Sequence, residues 1–337
     1  MKIDVVYTWV DGADPEWNRK RTATAEKLGT RVSSNANSEA RFQHNEELKY
    51  SLRSVYQFAP WVNRIFIVTD NQVPSWLDIS NSKITIVDHT SIFRDQSHLP
   101  TFSARGIEAN LHHIKELSEH YIYFNDDMFL GKLTKPTHFF NKSGTPFIFT
   151  SRVWPKKRGY HLDRSKLVGK LDNEHQHAIE NSRMLIAKSL NRDIHYDFRH
   201  TVKPMLKSVV YELEKKYNDA FLRTSKHPFR EETAIIPYYL FGFYAIANSI
   251  GKTKYLKTIH RKTKKFNILG RYVFRFNFTY VNLSANNVQL LLEKINIHNP
   301  SSFCLNQYSD TSPEAIEEIR SFMQAYFPNR SEYELMD

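Results

Sequence analysis

His120-Tyr121-Ile122-Tyr123-Phe124-Asn125-Asp126-Asp127-Met128-Phe129 runs aromatic and branched residues directly into two adjacent carboxylates. Tyr121 to Phe124 has the uncharged, β-rich composition of a short buried strand, so the acids fall where that strand ends. In an α/β sheet, ligands bind at the carboxyl ends of the strands. Two hard oxygen donors there suit Mg²⁺ or Mn²⁺, which take few protein groups and leave coordination positions for a substrate's phosphates. Asp is also a common turn former, so a plain surface turn reads equally well from this stretch alone.

The flanking sequence supplies the rest of a sheet. Residues 2–10 form a first strand that carries one acid, Asp4, and ends at the turn signal Asp11-Gly12-Ala13-Asp14-Pro15. An acid in an apolar run is costly unless paired, so Asp4 is expected to face a polar cleft. The polar stretch from Trp17 to Asn45 reads as an excursion over the active face, with a short helix at 15–28. Asn45-Glu46-Glu47 predicts an N-cap and an acidic first turn, followed by Leu48, Leu52, Val55 and Ala59 at helical spacing until Pro60. Strands follow at 64–70 and 83–89, and a helix at about 101–118, with Ile107, Leu111, Ile114 and Leu117 on one face, leads back into the stretch quoted first. This order predicts an α/β nucleotide-binding architecture with a mostly parallel sheet. A further strand is expected at 146–152, then helices at 172–191, 202–217, 231–249, 285–296 and 312–327, the last capped by Ser312 with Pro313 at its first position. Residues 1–152 are thus an α/β core and 153–337 a mainly helical subdomain packed on it.

Composition narrows the class. With 41% hydrophobic and 14% aromatic residues in 337, the chain is globular, neither disordered nor fibrous. Its start enters a strand pattern without a basic leader or apolar signal core, which predicts a cytoplasmic product. One cysteine, Cys304, excludes an internal disulfide and a cysteine-rich zinc site. His112-His113 and His175-x-His177 lack a closed ligand set, so no zinc site is expected. The net charge of +11 favours anionic partners, and residues 252–275 gather Lys and Arg without an acid, a surface suited to anionic lipid. Binding of nucleic acid would need exposed aromatics between those cations, and most aromatics here lie in strand or helix cores. Residues 233–251 are uncharged, but Pro237 and three tyrosines mark a buried aromatic helix and not a membrane span.

Four ordered blocks carry a resemblance. Ile3-Asp4-Val5-Val6-Tyr7-Thr8-Trp9-Val10-Asp11-Gly12, together with Arg41-Phe42, Asn45-Glu46-Glu47-Leu48, Ile65-Phe66-Ile67-Val68-Thr69-Asp70 and Phe124-Asn125-Asp126-Asp127, resembles the first two blocks of the Stealth family. His200-Thr201-Val202-Lys203-Pro204 through His227-Pro228-Phe229-Arg230 resembles the third block, and Phe303-Cys304-Leu305-Asn306 the fourth. His44 stands where the family usually has an acid, and Gln307 stands where it usually has Asp.

The resemblance implies a Rossmann-like, glycosyltransferase-A-like core that binds a nucleotide-sugar, with the second half completing the active site. It implies transfer of a hexose- or N-acetylhexosamine-1-phosphate from a UDP-sugar to a hydroxyl of a glycan or lipid-linked oligosaccharide, forming a phosphodiester and releasing UMP, in bacterial capsule or surface-polysaccharide synthesis. On that reading Asp126, Asp127 and Asn306 hold Mg²⁺ or Mn²⁺. Tyr7 or Trp9 lies against the uracil, and Asp11, Arg41 and Asn45 contact the nucleotide-sugar. His200 is the candidate general base, Arg230 and Arg53 clamp the phosphate, and Asp4 supports the catalytic groups. The expected setting is the inner face of the plasma membrane. The alternative is a conventional metal-dependent glycosyltransferase that releases UDP, which leaves His200 and Arg230 without a phosphoryl-transfer role.

Overall fold

Strand β1 (Ile3–Thr8) is buried from Ile3 to Tyr7, which a sheet allows only when both of its faces are covered. The computed structural model describes residues 1–29, 37, 42, 45–151, 174–191, 194, 196–256, 277–284, 287–308 and 310–336. After β1 come α1 (Pro15–Leu28), α2 (Glu47–Phe58), β2 (Ile65–Thr69), β3 (Ile84–Asp88), α3 (His89–Ile92), α4 (Ala104–Glu108), β4 (His120–Asn125), β5 (Met128–Leu130) and β6 (Phe147–Thr150). The second half supplies α5 (Glu174–Leu190), β7 (Lys203–Leu206), α6 (Lys207–Lys216), α7 (Asn218–Lys226), α8 (Pro237–Ala247), β8 (Lys252–Tyr255), β9 (Phe278–Asn282), α9 (Val288–His298), β10 (Ser302–Asn306) and α10 (Pro313–Tyr326).

The main sheet has the order β3-β2-β1-β4-β7. Its first four strands are parallel, with Tyr7 beside Phe124 and Thr8 beside Asn125, while β7 runs antiparallel to β4. The chain is therefore of the expected α/β class with a mostly parallel sheet. Side chains alternate between the faces. Val6, Phe66, Val68, Tyr121 and Tyr123 pack towards the second-half helices, against residues such as Leu213, Leu240 and Phe241. Val5, Tyr7, Ile65, Ile67, Ile122 and Phe124 pack against Leu48, Leu52 and Val55 of α2. A second sheet, β5-β10-β9, shares a third core with α9 and α10 through Phe129, Phe303, Leu305, Ile295 and Met323.

Several expectations need correction. The helix expected over 101–118 is only α4 followed by a 3₁₀ turn, Leu111–His113. The helix expected over 202–217 starts later, because Lys203 to Leu206 pair with β4 as an edge strand; Pro204 is tolerated there because an edge strand does not use every N–H in the ladder. The short strands β5, β9 and β10 were not foreseen, and together they form the sheet that holds Cys304. Asn45 does not cap α2: Glu46, with φ of 64°, occupies that position without a side-chain capping bond. The apolar stretch around Pro237 is α8, eleven residues long, and no helix among the described residues is long and apolar enough to cross a membrane. Of the basic stretch 252–275, residues 257–275 lie outside the described residues, as does Arg41.

Candidate active site

The turn between β4 and β5 places Asp126 and Asp127 at the carboxyl end of the parallel strands. Antiparallel pairing of β5 with β10 sets Cys304 opposite Met128, and Leu305 N–H donates to the Asp127 carbonyl at 3.0 Å. These two sheets fix the acid pair from both sides. The Cys304 thiol donates to Asp127 Oδ2 at 3.2 Å, while the buried Asp127 Oδ1 has no hydrogen-bond partner among the described residues. Burial first, then Asp127 and Glu47, hold the Asp126 carboxyl well above the ordinary carboxylate range. Burial also pushes Asp127 up to about 6, with Glu47 adding to it and Cys304 and Lys203 opposing. A set of carboxylates that raise one another's pKa, one with an orphan buried oxygen, suits a divalent cation.

His200 comes from the segment just before β7, and its ring meets Tyr280 edge to face at 5.9 Å. Ligand atoms of His200, Asp127 and Cys304 all lie within 4.8 Å of one another. Burial, then the charges of Lys203, His175 and Arg230, push His200 down to about 3, so its imidazole is neutral at pH 7.

A positive group faces these acids. Lys203, at the start of β7, donates to Asn125 Oδ1 at 3.1 Å and lies 4.6 Å and 4.4 Å over the rings of Tyr123 and Tyr238. Burial lowers it to about 8, with Glu108 and Asp127 opposing. Arg105 of α4 is buried and pushed down to about 10 by burial and by Arg230. Arg230 is itself lowered by burial, against the pull of Glu108. Glu108 accepts from the Tyr123 hydroxyl at 3.1 Å, its second oxygen is buried without a partner among the described residues, and burial raises its pKa. Three cations therefore converge on one buried carboxylate beside the acid pair. Sequence reasoning passed over Lys203, Glu108, Glu47 and Arg105 as site residues.

The structure brings some of the expected residues together and not others. Asn45, 5% exposed, donates to Glu47 Oε1 at 3.1 Å and to Gln307 Oε1 at 2.8 Å, and accepts from Arg320 at 3.0 Å. It thereby joins the acid pair's neighbour Glu47 to the chain just beyond β10, where Asn306 ends the strand. Gln307, standing where the family usually has Asp, uses its amide oxygen in this link. A cleft of about 670 Å³ opens beside Asn45, between Asn18 and Arg21 of α1 and Ile316 and Arg320 of α10. Asp11 lies in the loop after β1, where its Oδ1 accepts from Ala13 N–H at 2.8 Å and its backbone exchanges two bonds with Gln72.

Four expected residues sit elsewhere. Asp4 does not face a cleft: it is fully buried at the opposite end of β1 from the acid pair, about 13 Å from Thr8 by strand rise. Its oxygens accept from Asn63 at 2.7 Å, Arg64 N–H at 3.2 Å and Ser118 N–H at 2.7 Å, tying three chain segments together. Arg53 grips Glu334 through two bonds of 2.9 and 2.6 Å and donates to the Phe327 carbonyl, fastening α2 to the segment after α10. A guanidinium so engaged has little left for a phosphate. Tyr7 is buried with its hydroxyl bonded to Ser51 and its ring packed on Phe124, and Trp9 belongs to the same core, so neither ring is presented for stacking on a base.

Family models for conserved regions 1, 2 and 3 of Stealth proteins match residues 1–29, 41–148 and 199–247. An exopolysaccharide phosphotransferase of Streptomyces coelicolor is 36% identical over 342 residues, covering 98% of this chain and 52% of that protein. A capsular polysaccharide phosphotransferase of Haemophilus influenzae is 35% identical over 336 residues, covering 97% of this chain and 84% of that protein. The exopolysaccharide phosphotransferase CpsY of Mycobacterium tuberculosis is 34% identical over 331 residues, covering 97% of this chain and 57% of that protein. The chain thus spans about half the length of the Streptomyces and Mycobacterium relatives. Among solved structures, a galactosyltransferase LgtC with donor and acceptor sugar analogues is 10% identical with a TM-score of 0.40, covering 96% of this chain and 95% of that one, a likeness too distant to bear on the site. With three conserved regions matched in order, and a relative of 35% identity spanned over 84% of its length, the chain belongs to the Stealth family.

Proposed function

We propose that this protein transfers a hexose- or N-acetylhexosamine-1-phosphate from a UDP-sugar to a hydroxyl of a glycan acceptor, forming a phosphodiester and releasing UMP, in assembly of a bacterial capsule or surface polysaccharide. The observation that carries this reading is the division of the site into two signs of charge. Asp126 and Asp127 are both raised by burial and by Glu47, while burial, Lys203 and Arg230 depress His200, and these two cations act together with Arg105 on the buried Glu108. Attack at phosphorus calls for charge neutralisation on phosphoryl oxygens from two directions, together with an aligned nucleophile. The names of the relatives, exopolysaccharide and capsular polysaccharide phosphotransferases, agree with it.

In this mechanism Asp126, Asp127 and Asn306 would hold Mg²⁺ or Mn²⁺, which supplies Lewis-acid neutralisation of the diphosphate. Lys203 and Arg230 orient the β-phosphoryl oxygens. The acceptor hydroxyl forms a bond to the β-phosphorus, the bond from that phosphorus to the oxygen bridging the α-phosphorus breaks, and UMP leaves with the electron pair. His200 takes the hydroxyl proton. It is neutral at working pH, and binding of an anionic diphosphate beside it raises its basicity from the low value set by burial and by Lys203, His175 and Arg230. The cleft beside Asn45 and Arg320 is proposed for donor or acceptor groups. Residues 153–337 complete the site through His200, Lys203, Arg230 and Asn306. The proposed setting is the inner face of an anionic membrane, which a salt-sensitive association with vesicles containing anionic lipid would test.

The deciding experiment identifies the nucleotide released from a panel of UDP-sugars with acceptor glycan and Mg²⁺ or Mn²⁺. UMP supports attack at phosphorus. UDP means that the sugar's anomeric carbon is the electrophile and that the protein is a conventional glycosyltransferase.

A further inference from the structure

His112 and His113 have no third ligand within reach in the sequence, but the fold brings one from about a hundred residues away. Glu214 of α6 points its Oε2 at both rings, 3.0 Å from His112 Nε2 and 3.1 Å from His113 Nε2. His113 Nδ1 lies 2.9 Å from the Ile92 carbonyl, which can only accept, so the proton of a neutral His113 sits on Nδ1. Its Nε2 then carries a lone pair facing a carboxylate oxygen that also only accepts. Either a second ring proton or a metal cation must therefore lie between them.

We propose that His112 Nε2, His113 Nε2 and Glu214 Oε2 form a divalent cation site of zinc type, separate from the acid pair, that clips the turn Leu111–His113 to α6. The three ligand atoms lie within 4.8 Å of one another. In a tetrahedral zinc site, bonds of about 2.0–2.2 Å put ligand atoms about 3.3 Å apart, so the two spacings to Glu214 open by only a few tenths of an ångström on loading. Two imidazoles, one carboxylate and a solvent position make a borderline-soft donor set that suits Zn²⁺ better than Mg²⁺. An imidazole that donates its second N–H to a backbone carbonyl is the arrangement that fixes a metal-binding tautomer.

The surroundings hold the donors in place. The His112 ring is fully buried, 4.1 Å from the His113 ring and 4.6 Å from Tyr211. Arg94, whose side chain is 65% exposed, approaches the same Glu214 oxygen at 3.5 Å and would swing away into solvent on loading.

The test titrates metal-free full-length protein with Zn²⁺ by calorimetry. The background is the double variant His200→Asn/Cys304→Ser, which removes the nitrogen and sulfur donors beside Asp127. One tight equivalent is expected, with a rise in Tm on loading. Adding Glu214→Gln or His113→Asn to that background weakens this equivalent by at least about 100-fold while circular dichroism stays unchanged. Uptake of no zinc by the background, or equal affinity after both additions, overturns the site. Should either added variant unfold, X-ray absorption of the zinc-loaded background decides: two imidazoles in the zinc shell support the clip, and a shell without imidazole overturns it.

Discussion

The two ends of strand β1 bury charge in opposite ways. At the amino end Asp4 has each carboxylate oxygen hydrogen-bonded, and away from the acid pair Arg53 of α2 forms a closed two-bond pair with Glu334. At the carboxyl end Asp127 and Glu108 each keep a buried oxygen without a partner among the described residues, Asp126 and Asp127 repel one another, and Lys203 and Arg230 are lowered by burial. Charge that the fold satisfies holds the structure together, whereas charge that it leaves unsatisfied awaits a ligand.

This contrast is sharpest at Arg53. Arg53→Ala leaves Glu334 buried without its countercharge and is expected to cost about 3–5 kcal/mol, read as a drop in the urea midpoint. Activity per folded molecule should change little. If instead turnover collapses in a protein of unchanged stability, Arg53 belongs to the site after all. Next in size is Asp127→Asn, expected to lower kcat by about 10²–10³-fold.

The same chemical change at the two ends should then move stability in opposite directions. Asp4→Asn removes an acceptor from backbone N–H groups and should destabilise by about 1–3 kcal/mol. Asp127→Asn in metal-free protein should stabilise by about 1–3 kcal/mol at neutral pH. Because the folded state raises this carboxyl from its ordinary value to about 6, its ionisation opposes folding as pH rises through that window, and an amide has nothing to ionise. Thermal melts of both variants at pH 7 check the signs, and two shifts of the same sign would break the comparison.

The smallest effect is on acid unfolding. Burial works to raise Glu334, but Arg53 and Ser331 prevail and hold it below the ordinary range. Stability from this pair is fully present above the ordinary carboxylate pKa of about 4.3 and is lost as pH falls through the folded value. Arg53→Ala should therefore move the acid midpoint upward.

The sequence disclosed the sheet because β1, β2 and β4 are nearly continuous buried runs, and it disclosed the acid pair because Asp126-Asp127 interrupts such a run at its end. It misplaced Asp4 because a strand has two ends, and period-two patterning does not say which end faces substrate. It misread Arg53, whose partner Glu334 lies 281 positions away and follows no local spacing. Lys203 was hidden by an assumed helix, since Lys203 to Leu206 becomes a strand only by pairing with β4. Glu108 sits in a five-residue helix whose burial depends on second-half elements. Long-range pairing settled each of these.

The most direct test of phosphoryl transfer follows the oxygen between the sugar's anomeric carbon and the β-phosphorus. A UDP-sugar carrying a heavy-oxygen label at that position, turned over with acceptor glycan and Mg²⁺ or Mn²⁺, is analysed by mass spectrometry. Retention of the label in the product phosphodiester, with unlabelled UMP released, is the expected result. Recovery of the label in UDP would show that the anomeric carbon was attacked and would contradict the roles given to His200, Lys203 and Arg230.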